Sequence, residues 1–334
     1  MINVGVIGFG YWGPNLVRNF MANSATNVCC VADRDASKLA KVAALYPGTR
    51  TVQDAADLIN APDVDAVIIA TPVHTHFDLA MAALQAGKHV LVEKPMASSA
   101  EQAEIMIAEA AKRDLVLMVD HTFVYTGAVR KMQELIDKPE FGPVRYYDST
   151  RVNLGLFQPD VNVLWDLAVH DLSIMSYIIK EKPQMVSATG RSQMAGQPEY
   201  VGFLTVFFEN VIAHINVNWL SPVKIRRTLV GGASQMIVYD DLEVSEKIKL
   251  YDKGIQVTET PDDVRKLLIS YRTGDLWVPK ISDAEALGVE VSHFANCIEG
   301  TETPITAGAE GLLMVKILEA ANRSLEGNGA PVKL

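Results

Sequence analysis

The chain has 334 residues, of which 49% are hydrophobic and 21% are charged. This length exceeds the ~250–300 residues at which a single hydrophobic core stops growing, so we expect two ordered domains. The net charge of −10 disfavours a nucleic-acid partner, because phosphate binding requires a basic face. No apolar run reaches the ~18 residues of a membrane-spanning helix, and we therefore expect no membrane partner either.

The cysteine and histidine content points to a protein of a reducing compartment. Cys29, Cys30 and Cys297 are too few and too irregularly spaced for a disulfide framework. None of the seven histidines belongs to an H-E-x-x-H or cysteine-paired ligand set, so we expect no metal centre. Met1 is followed almost directly by a strand pattern, with no signal peptide ahead of it. These features predict a cytoplasmic protein.

The N-terminal third alternates short apolar runs with longer amphipathic stretches, which is typical of a parallel sheet covered by helices. The apolar runs predict strands over residues 3–7, 28–32, 66–70, 89–92 and 115–119. Apolar residues at i, i+3, i+4 and i+7 predict helices over residues 14–21, 36–44, 76–86 and 100–112. Residues 1–121 are therefore expected to form a Rossmann dinucleotide-binding domain.

The pattern changes after residue 121. An amphipathic helix is predicted over residues 128–136, followed by a turn at Gly142 and Pro143. The β-rich runs that follow cover residues 144–152, 186–191, 200–219 and 228–239, with helical stretches over residues 165–179 and 310–324. We expect residues 122–334 to form an α+β domain with a large, mostly antiparallel open sheet, which binds substrate and mediates oligomerisation.

A glycine-rich motif follows the first predicted strand. Gly8, Gly10 and Gly13 form a G-x-G-x-x-G run that opens a helix, and Asp33 lies about 20 residues further on at the end of the second strand. The first glycine permits a tight turn, the second lets the backbone approach a pyrophosphate, and the third lets helix and strand pack closely. The helix N-terminus offers free N–H groups to the diphosphate. This context favours dinucleotide binding over a purely structural turn.

The choice between NAD and NADP depends on two neighbouring residues. The Asp33 carboxylate would accept hydrogen bonds from both ribose hydroxyls of NAD, and its charge would repel a 2′-phosphate. Arg34 would stack on adenine, pair with the NADP phosphate, or remain a solvated loop charge. NAD is the expected cofactor and NADP the less favoured one.

Two further loops follow strand ends that should face the same crevice, since ligands of open α/β sheets bind beyond the carboxyl ends of the strands. The first loop contains Thr71, Pro72, His74 and His76. The second contains Glu93, Lys94 and Pro95, and a cis bond before the proline would direct Lys94 into the crevice. The alternative is that Pro95 only stops the strand and Lys94 stays solvated.

A carboxylate and a histidine lie four residues apart in the second domain. Asp166 and His170 would therefore share one face of a predicted helix. The pair suits proton transfer, because oxidation of an alcohol requires a base and histidine titrates near neutral pH. A neighbouring carboxylate would orient the imidazole and stabilise its charged form. On spacing alone, a surface hydrogen bond between the two side chains is an equally good interpretation.

Together these motifs resemble the glucose–fructose oxidoreductase and inositol dehydrogenase family, Gfo/Idh/MocA, over almost the whole chain. The matching segments are residues 8–13, Ala70-Thr71-Pro72 with His76, Glu93-Lys94-Pro95, Asp166 with His170 and Asp171, and residues 300–327 with Glu319-Ala320-Ala321. The Glu-Lys-Pro motif joined to the downstream Asp-x-x-x-His is fairly specific in combination. The resemblance implies an NAD(P)-dependent oxidoreductase that acts on CH–OH groups.

The resemblance also implies roles for individual residues. Lys94 would lie between nicotinamide and substrate, where it holds the reactive hydroxyl and tunes the base. His170 would be the general acid/base, and Asp166 would bind a substrate hydroxyl or support the proton relay. The expected cofactor contacts are Gly8, Phe9, Gly10, Tyr11, Trp12, Gly13, Asp33, Arg34, Thr71, Pro72, His74, His76, Glu93, Lys94 and His121. The expected substrate contacts are Lys94, His121, Tyr125, Arg151, Asp166 and His170.

One segment departs from the family pattern. His121 corresponds to a cleft position that varies in the family, and residues 120–125 lack the commoner Arg-Phe pair. Residues 10–15 and 165–171 look most like members that act on sugar nucleotides for surface-polysaccharide synthesis. This likeness implies interconversion of a ring hydroxyl and a ketone, at C3, of a sugar or sugar nucleotide.

Four basic residues could meet a nucleotide diphosphate or a uronate carboxylate if they converge, since guanidinium groups suit such anions. They are Arg151, Lys224, Arg226 and Arg227. The alternative, which is slightly favoured for each, is an ordinary solvated charge at a strand end.

Two other functions and one assembly remain to be considered. A redox-neutral enzyme would oxidise a sugar transiently, eliminate a glycosidic substituent and reduce the product on retained NAD. A non-catalytic sensor would need none of Lys94, Asp166 and His170, and their joint presence argues against it.

Alternating apolar residues over 201–217 leave one sheet face to be covered, and a partner subunit in a homodimer or homotetramer is the simplest cover.

Overall fold

The computed structural model describes residues 1–155, 161–192, 197–257, 269–272 and 274–334. They form two compact units, Met1–Tyr125 with Ala284–Glu319 and Thr126–Asp283 with Ala320–Leu334. Residues 284–319 therefore group with the first unit, although the sequence analysis includes them in the second domain.

The first unit begins with alternating strands and helices. In chain order they are β1 (Ile2–Ile7), α1 (Gly13–Ala22), β2 (Thr26–Ala32), α2 (Ala36–Leu45), β3 (Arg50–Val52), α3 (Ala55–Ile59), β4 (Ala66–Ile69), α4 (His76–Gln85), β5 (His89–Glu93), α5 (Ala100–Lys112) and β6 (Leu117–Asp120). The strands form a parallel sheet in the order β3-β2-β1-β4-β5-β6. The central strands are continuous apolar runs because helices cover both faces of such a sheet. The order reverses between β1 and β4, which is where ligands of this architecture bind.

The predicted strands and helices of this region are confirmed to within two residues at each end. Two elements, β3 and α3, were missed. The strand has three residues and the helix five, which is too short for an apolar periodicity to appear.

The remaining elements follow residue 126. They are α6 (Gly127–Ile136), β7 (Val144–Leu154), α7 (Val169–Ile178), β8 (Met185–Arg191), β9 (Val201–Phe207), β10 (Ile212–Asn218), β11 (Leu220–Gly232), β12 (Met236–Asp240), β13 (Ile248–Tyr251), β14 (Gly254–Val257), β15 (Ile269–Arg272), β16 (Leu276–Trp277), α8 (Ala286–Ile298), α9 (Gly308–Glu326) and β17 (Val332–Lys333). Helix α8 belongs to the first unit.

The second unit is built on a sheet in the order β16-β13-β12-β11-β7-β10-β9-β8-β17. Neighbouring strands run antiparallel except β7 and β10, which are parallel. The expected large, mostly antiparallel sheet is thus confirmed. One face is buried and apolar, whereas the other carries Phe203, Ile212 and Tyr146, which are 42%, 48% and 37% exposed.

Three sequence predictions in this unit need correction. The runs at 200–219 and 228–239 each contain a turn, so that the first is divided between β9 and β10 and the second between β11 and β12. The helical stretch begins as a π-helical turn, Leu164–Ala168, before it continues as α7. Within the described ranges, no helix combines the length and the apolar character needed to cross a membrane.

Candidate active site

The glycine-rich loop between β1 and α1 contains two glycines that the fold requires and one that it does not. Gly8 has φ +98°, and a Cβ there would lie 2.4 Å from the carbonyl oxygen of Ala70. A Cβ on Gly13 would lie 2.2 Å from the carbonyl oxygen of Gly8. A Cβ on Gly10 would meet nothing within 4 Å. The open space beside Gly10 therefore fits a group that approaches the backbone closely, as a pyrophosphate does.

The start of α1 adds the positive end of its dipole to this loop. Trp12 precedes the helix and makes no capping hydrogen bond through its side chain. Pro14 has no N–H, and the N–H groups of Asn15 and Leu16 donate to the Trp12 carbonyl oxygen, so it is the dipole that favours a negative charge at this end. The loop and helix together fit a dinucleotide diphosphate.

Asp33 lies directly beyond the end of β2, where its carboxylate is fixed by the neighbouring loops. Its Oδ2 accepts the backbone N–H of Phe9 at 2.7 Å, and its Oδ1 accepts that of Asp35 at 2.9 Å. The Lys38 ammonium lies 3.4 Å from Oδ2. A carboxylate oxygen accepts more than one hydrogen bond, so Asp33 can still bind ribose hydroxyls. Arg34, the next residue, is exposed.

His76 has a different position from the one expected of a cofactor contact. It is 1% exposed, with Nδ1 2.9 Å from the Pro95 carbonyl oxygen and Nε2 2.7 Å from that of Thr71. Burial lowers the pKa of His76. The imidazole thus links the loop after β4 to the Glu-Lys-Pro loop after β5, and we interpret it as a residue that positions these loops.

The other residues of these loops are more accessible. Tyr11 is 87% exposed, and Pro72 and His74 are also exposed. Lys94 is partly buried, and the Lys94–Pro95 bond is cis. The Lys94 backbone N–H donates to Oε2 of Glu93 at 2.9 Å.

A buried group of carboxyls lies at the ends of β5 and β6. Glu93 is paired with Asp120 in the sheet register, and Glu290 of α8 joins them. Asp120 is 2% exposed and accepts hydrogen bonds from Trp12 Nε1, at 2.7 Å, and from the Thr122 hydroxyl. Burial and the nearby Asp120 raise the pKa of both Glu93 and Glu290 well above the usual range. In the described part of the chain, no group of His, Cys, Asp or Glu side chains could hold a metal ion.

Sequence reasoning missed Glu290. The available signal was an acid within an otherwise apolar helix, since Glu290 lies between Val289 and Val291. A charged residue is rarely fully buried without a specific partner.

His121 is a buried residue of this region whose hydrogen bonding is incomplete. It is 2% exposed, and neither ring nitrogen has a hydrogen-bond partner among the described residues. Burial lowers its pKa to about 4, so the imidazole is neutral at pH 7. An unpaired buried polar group costs about 1–3 kcal/mol, which a ligand could recover.

Tyr125, one of the expected substrate contacts, is a buried residue of the first unit. It is 1% exposed, and its hydroxyl lies 3.0 Å from the Thr306 hydroxyl. Its ring centroid is 5.6 Å from that of His293. Burial of the phenol is tolerated because its hydroxyl has a hydrogen-bond partner inside the first unit.

Asp166 and His170 occupy consecutive turns in the second unit. Asp166 belongs to the π-helical turn and His170 to the first turn of α7, and both are partly exposed. The Trp219 indole N–H donates to Oδ2 of Asp166 at 3.0 Å. Trp219 is 1% exposed between β10 and β11, so the carboxylate is held by a rigid donor. Sequence reasoning missed this tryptophan because it is distant along the chain.

Arg151 is engaged in a buried ion pair, contrary to its expected role in substrate binding. Its Nε lies 2.6 Å from Oδ2 of Asp171, and the two residues are 3% and 2% exposed. Arg226 pairs with Asp241 at 3.3 Å, while Arg227 points to the other face of β11. Arg151 and Arg226 are register neighbours on one face of β7 and β11, but each is already paired with an aspartate, and Arg227 lies on the opposite face.

The parallel sheet, the glycine-rich loop and the acid after β2 define a dinucleotide-binding Rossmann protein. Residues 2–121 match the family model described as "Oxidoreductase family, NAD-binding Rossmann fold", and residues 129–238 match the Gfo/Idh/MocA C-terminal domain. The chain belongs to the Gfo/Idh/MocA family of NAD-binding oxidoreductases.

Named relatives are dehydrogenases. UDP-N-acetylglucosamine 3-dehydrogenase of Acidithiobacillus ferrooxidans is 26% identical over 93% of this chain and 93% of its own length. Inositol 2-dehydrogenase 2 of Saccharopolyspora erythraea is 31% identical over 69% of this chain and 71% of its own length. The fold also matches the structure of GenD2 from gentamicin A biosynthesis in complex with NAD, with a TM-score of 0.83, 23% identity and coverage of 100% of this chain and 96% of that chain.

Two glycine substitutions separate the folding role of the loop from its binding role. Gly10→Ala should leave the melting temperature unchanged, because the added Cβ meets open space. It should weaken NAD binding at least about tenfold, since the Cβ occupies the approach of the diphosphate. Gly8→Ala should destabilise the fold by about 1–3 kcal/mol or more through its positive φ and its contact with Ala70. Calorimetric unfolding and NAD titration give both quantities, and unchanged NAD affinity in Gly10→Ala would contradict this assignment.

A second pair of substitutions tests the role of Arg151. Arg151→Ala should reduce the free energy of unfolding by about 3–5 kcal/mol, because it leaves the Asp171 carboxylate buried without its partner. Arg227→Ala, on the exposed face of the same sheet, should change it by less than about 0.5 kcal/mol. Urea denaturation measures both values. Wild-type stability of Arg151→Ala with lost affinity for anionic sugars would instead identify a substrate residue.

Proposed function

We propose that the protein is an NAD-dependent dehydrogenase that interconverts a ring hydroxyl and a ketone, at C3, of a sugar or sugar nucleotide. The observation that carries this proposal is the joint presence of Lys94, Asp166 and His170 in a chain similar to UDP-N-acetylglucosamine 3-dehydrogenase and inositol 2-dehydrogenase. Hydride transfer from a secondary alcohol needs a base for the hydroxyl proton and a donor for the oxygen.

The cofactor residues follow from the geometry of the first unit. The backbone of residues 8–13 and the start of α1 would hold the diphosphate of NAD, and Asp33 its adenosine ribose. The negative charge of Asp33 disfavours the 2′-phosphate of NADP. NAD supplies the carbon that accepts the hydride. His121, neutral and with both ring nitrogens unpaired, is available to the nicotinamide half of the cofactor or to the substrate.

The proton step is assigned to side chains of this chain. His170 accepts the proton of the reacting hydroxyl, since an imidazole is the side chain best suited to general base catalysis. Asp166, held by the Trp219 indole, orients the imidazole or a substrate hydroxyl. The Lys94 ammonium donates to the reacting oxygen and stabilises the negative charge that develops on it.

The proposal includes a reducing compartment and self-association. Cys29, Cys30 and Cys297 are all free, which is consistent with the cytoplasm. On the outer sheet face, Ile212 of β10 is paired with Tyr146 of β7 and lies on the same face as Phe203 of β9. Three exposed apolar side chains on adjacent strands favour burial against the same face of a second copy, in a homodimer or a tetramer of such dimers.

The function is tested by NADH appearance at 340 nm with a panel of UDP- and dTDP-sugars, their uronates, free sugars and inositols. His170→Ala should lower kcat about 10²–10⁴-fold, because it removes the general base. His214→Asn, an exposed histidine on the outer sheet face, is the matched control and should keep wild-type kcat.

Three outcomes of this assay can be distinguished. Turnover of one sugar nucleotide that disappears in His170→Ala supports the proposal. Release of a glycosidic substituent without net NADH identifies a redox-neutral enzyme. Silence across the panel with NAD retained after purification identifies a sensor.

Self-association is tested by light scattering at micromolar concentration. Wild type should have twice or four times the mass of one chain. Ile212→Glu should shift the mass towards that of a single chain, because it would bury an unpaired charge in the interface. Leu242→Glu, in the turn after β12 and 42% exposed, should leave the mass unchanged. A monomeric wild type would contradict the proposed assembly.

A further inference from the structure

The three carboxyls at the ends of β5 and β6, those of Glu93, Asp120 and Glu290, have more acceptor oxygens than the surrounding side chains have donors. Glu290 is 0% exposed, and as a carboxylate it would have no hydrogen-bond partner for either oxygen among the described residues. The Thr122 hydroxyl lies beside Glu290, but its single proton and the Trp12 indole N–H are both donated to Asp120. A buried charged carboxylate without donors is costly. The surroundings of Glu290 therefore favour its neutral form.

A proton on Glu290 resolves this imbalance. A protonated carboxyl group gains one O–H donor, and the Asp120 carboxyl lies within hydrogen-bonding reach of it. Asp120 would then accept three hydrogen bonds, from Glu290, Thr122 and Trp12. Carboxyl–carboxylate hydrogen bonds of this kind are among the strong ones, because the acceptor is charged.

The three carboxyls are connected to the glycine-rich loop through one residue, Trp12. Trp12 lies inside the glycine-rich motif, directly before α1, and its indole is fixed by Asp120 at 2.7 Å. On the other side, Glu93 accepts the backbone N–H of Lys94. The group thus joins the loop that fits the diphosphate to the loop that carries the lysine.

We propose that Glu290 is a positioning residue of the cofactor site: as a neutral carboxyl group it donates a hydrogen bond to Asp120, which holds Trp12 and thereby the glycine-rich loop. The role concerns NAD binding and not the sugar, so it goes beyond the proposed function and does not depend on it. Glu290 itself touches neither cofactor nor substrate in this assignment.

The sign of the pH dependence follows from burial. Burial and Asp120 raise the pKa of Glu290 far above the value of about 4.3 in an unfolded chain. The folded state then binds one more proton than the unfolded state, so stability is complete below that value and is lost as the pH rises through the raised pKa. The titratable groups that act on Glu290 are Asp120 and Glu93, and Lys94 lies beside Glu93 in turn.

The first experiment compares Glu290→Gln with wild type in urea unfolding between pH 6 and pH 9. Glutamine keeps an N–H donor for Asp120 but does not titrate. At each pH below the raised pKa of Glu290, the unfolding equilibrium constant of wild type should therefore rise about tenfold per pH unit relative to that of the variant. Glu299→Gln, at the exposed C-terminal end of the same helix, should follow wild type. Parallel pH profiles for Glu290→Gln and wild type would overturn the proposal.

The second experiment asks whether Glu290 acts through Trp12. By calorimetric titration at pH 7, Glu290→Gln should bind NAD within about threefold of wild type, whereas Glu290→Leu, which removes the donor, should lose about tenfold. In a Trp12→Phe background, which lacks the indole N–H, Glu290→Leu should cause no further loss. An equal loss in both backgrounds would show a general structural effect and refute the positioning role. If Glu290→Leu does not fold, the comparison of Glu290→Gln with wild type still decides the proposal.

Discussion

The cofactor half of this protein depends on how closely the backbone approaches itself where β1 meets β4. Gly8 leaves β1 with a positive φ against the carbonyl of Ala70, and Gly13 starts α1 against the carbonyl of Gly8. Any side chain at either position would overlap a backbone oxygen. The chain therefore turns within six residues from strand to helix, and the N-terminal end of α1 lies at the switch point of the sheet. The remaining glycine of the motif, Gly10, takes no part in this packing. The fold does not require a glycine there, and the open space beside it fits a ligand.

This half of the fold was predictable because its signals are local. Apolar runs of four to seven residues gave the buried strands, and the i, i+3, i+4 spacing gave the helices, with errors of up to two residues. The second unit was predicted less well. The turn inside the run 200–219 has only Asn210 as a breaker, and the Gly231-Gly232 pair that marks the turn in the run 228–239 was overlooked. Strands β13, β16 and β17 are two to four residues long. Helix α8 was missed as well, and with it the assignment of residues 284–319 to the first unit.

The candidate site shows the complementary limit. Which residues follow strand ends could be predicted, since that depends on neighbours in the chain. Which of these residues already have hydrogen-bond partners inside the protein could not be predicted, because those partners are distant along the chain. His76 contacts Pro95 across 19 residues, Arg151 contacts Asp171 across 20, and Trp219 contacts Asp166 across 53. Periodicity carries no record of such pairings, so the sequence could not predict that His76 and Arg151, both expected to contact a ligand, also hold other parts of the protein.

The ion pair of Arg151 bears on the chemistry assigned to its neighbour. Asp171 is fixed twice, by Arg151 of β7 through its side chain and by the Tyr147 hydroxyl through its backbone carbonyl at 3.0 Å. Both partners lie on one strand, so the first turn of α7 is attached to the central part of the sheet. His170 is the preceding residue, and Asp166 one turn earlier is held by Trp219. A general base, the role proposed for His170, must keep its position while a proton moves, and these contacts would supply that constraint. Under the proposed function, the ion pair of Arg151 therefore helps to keep His170 in place.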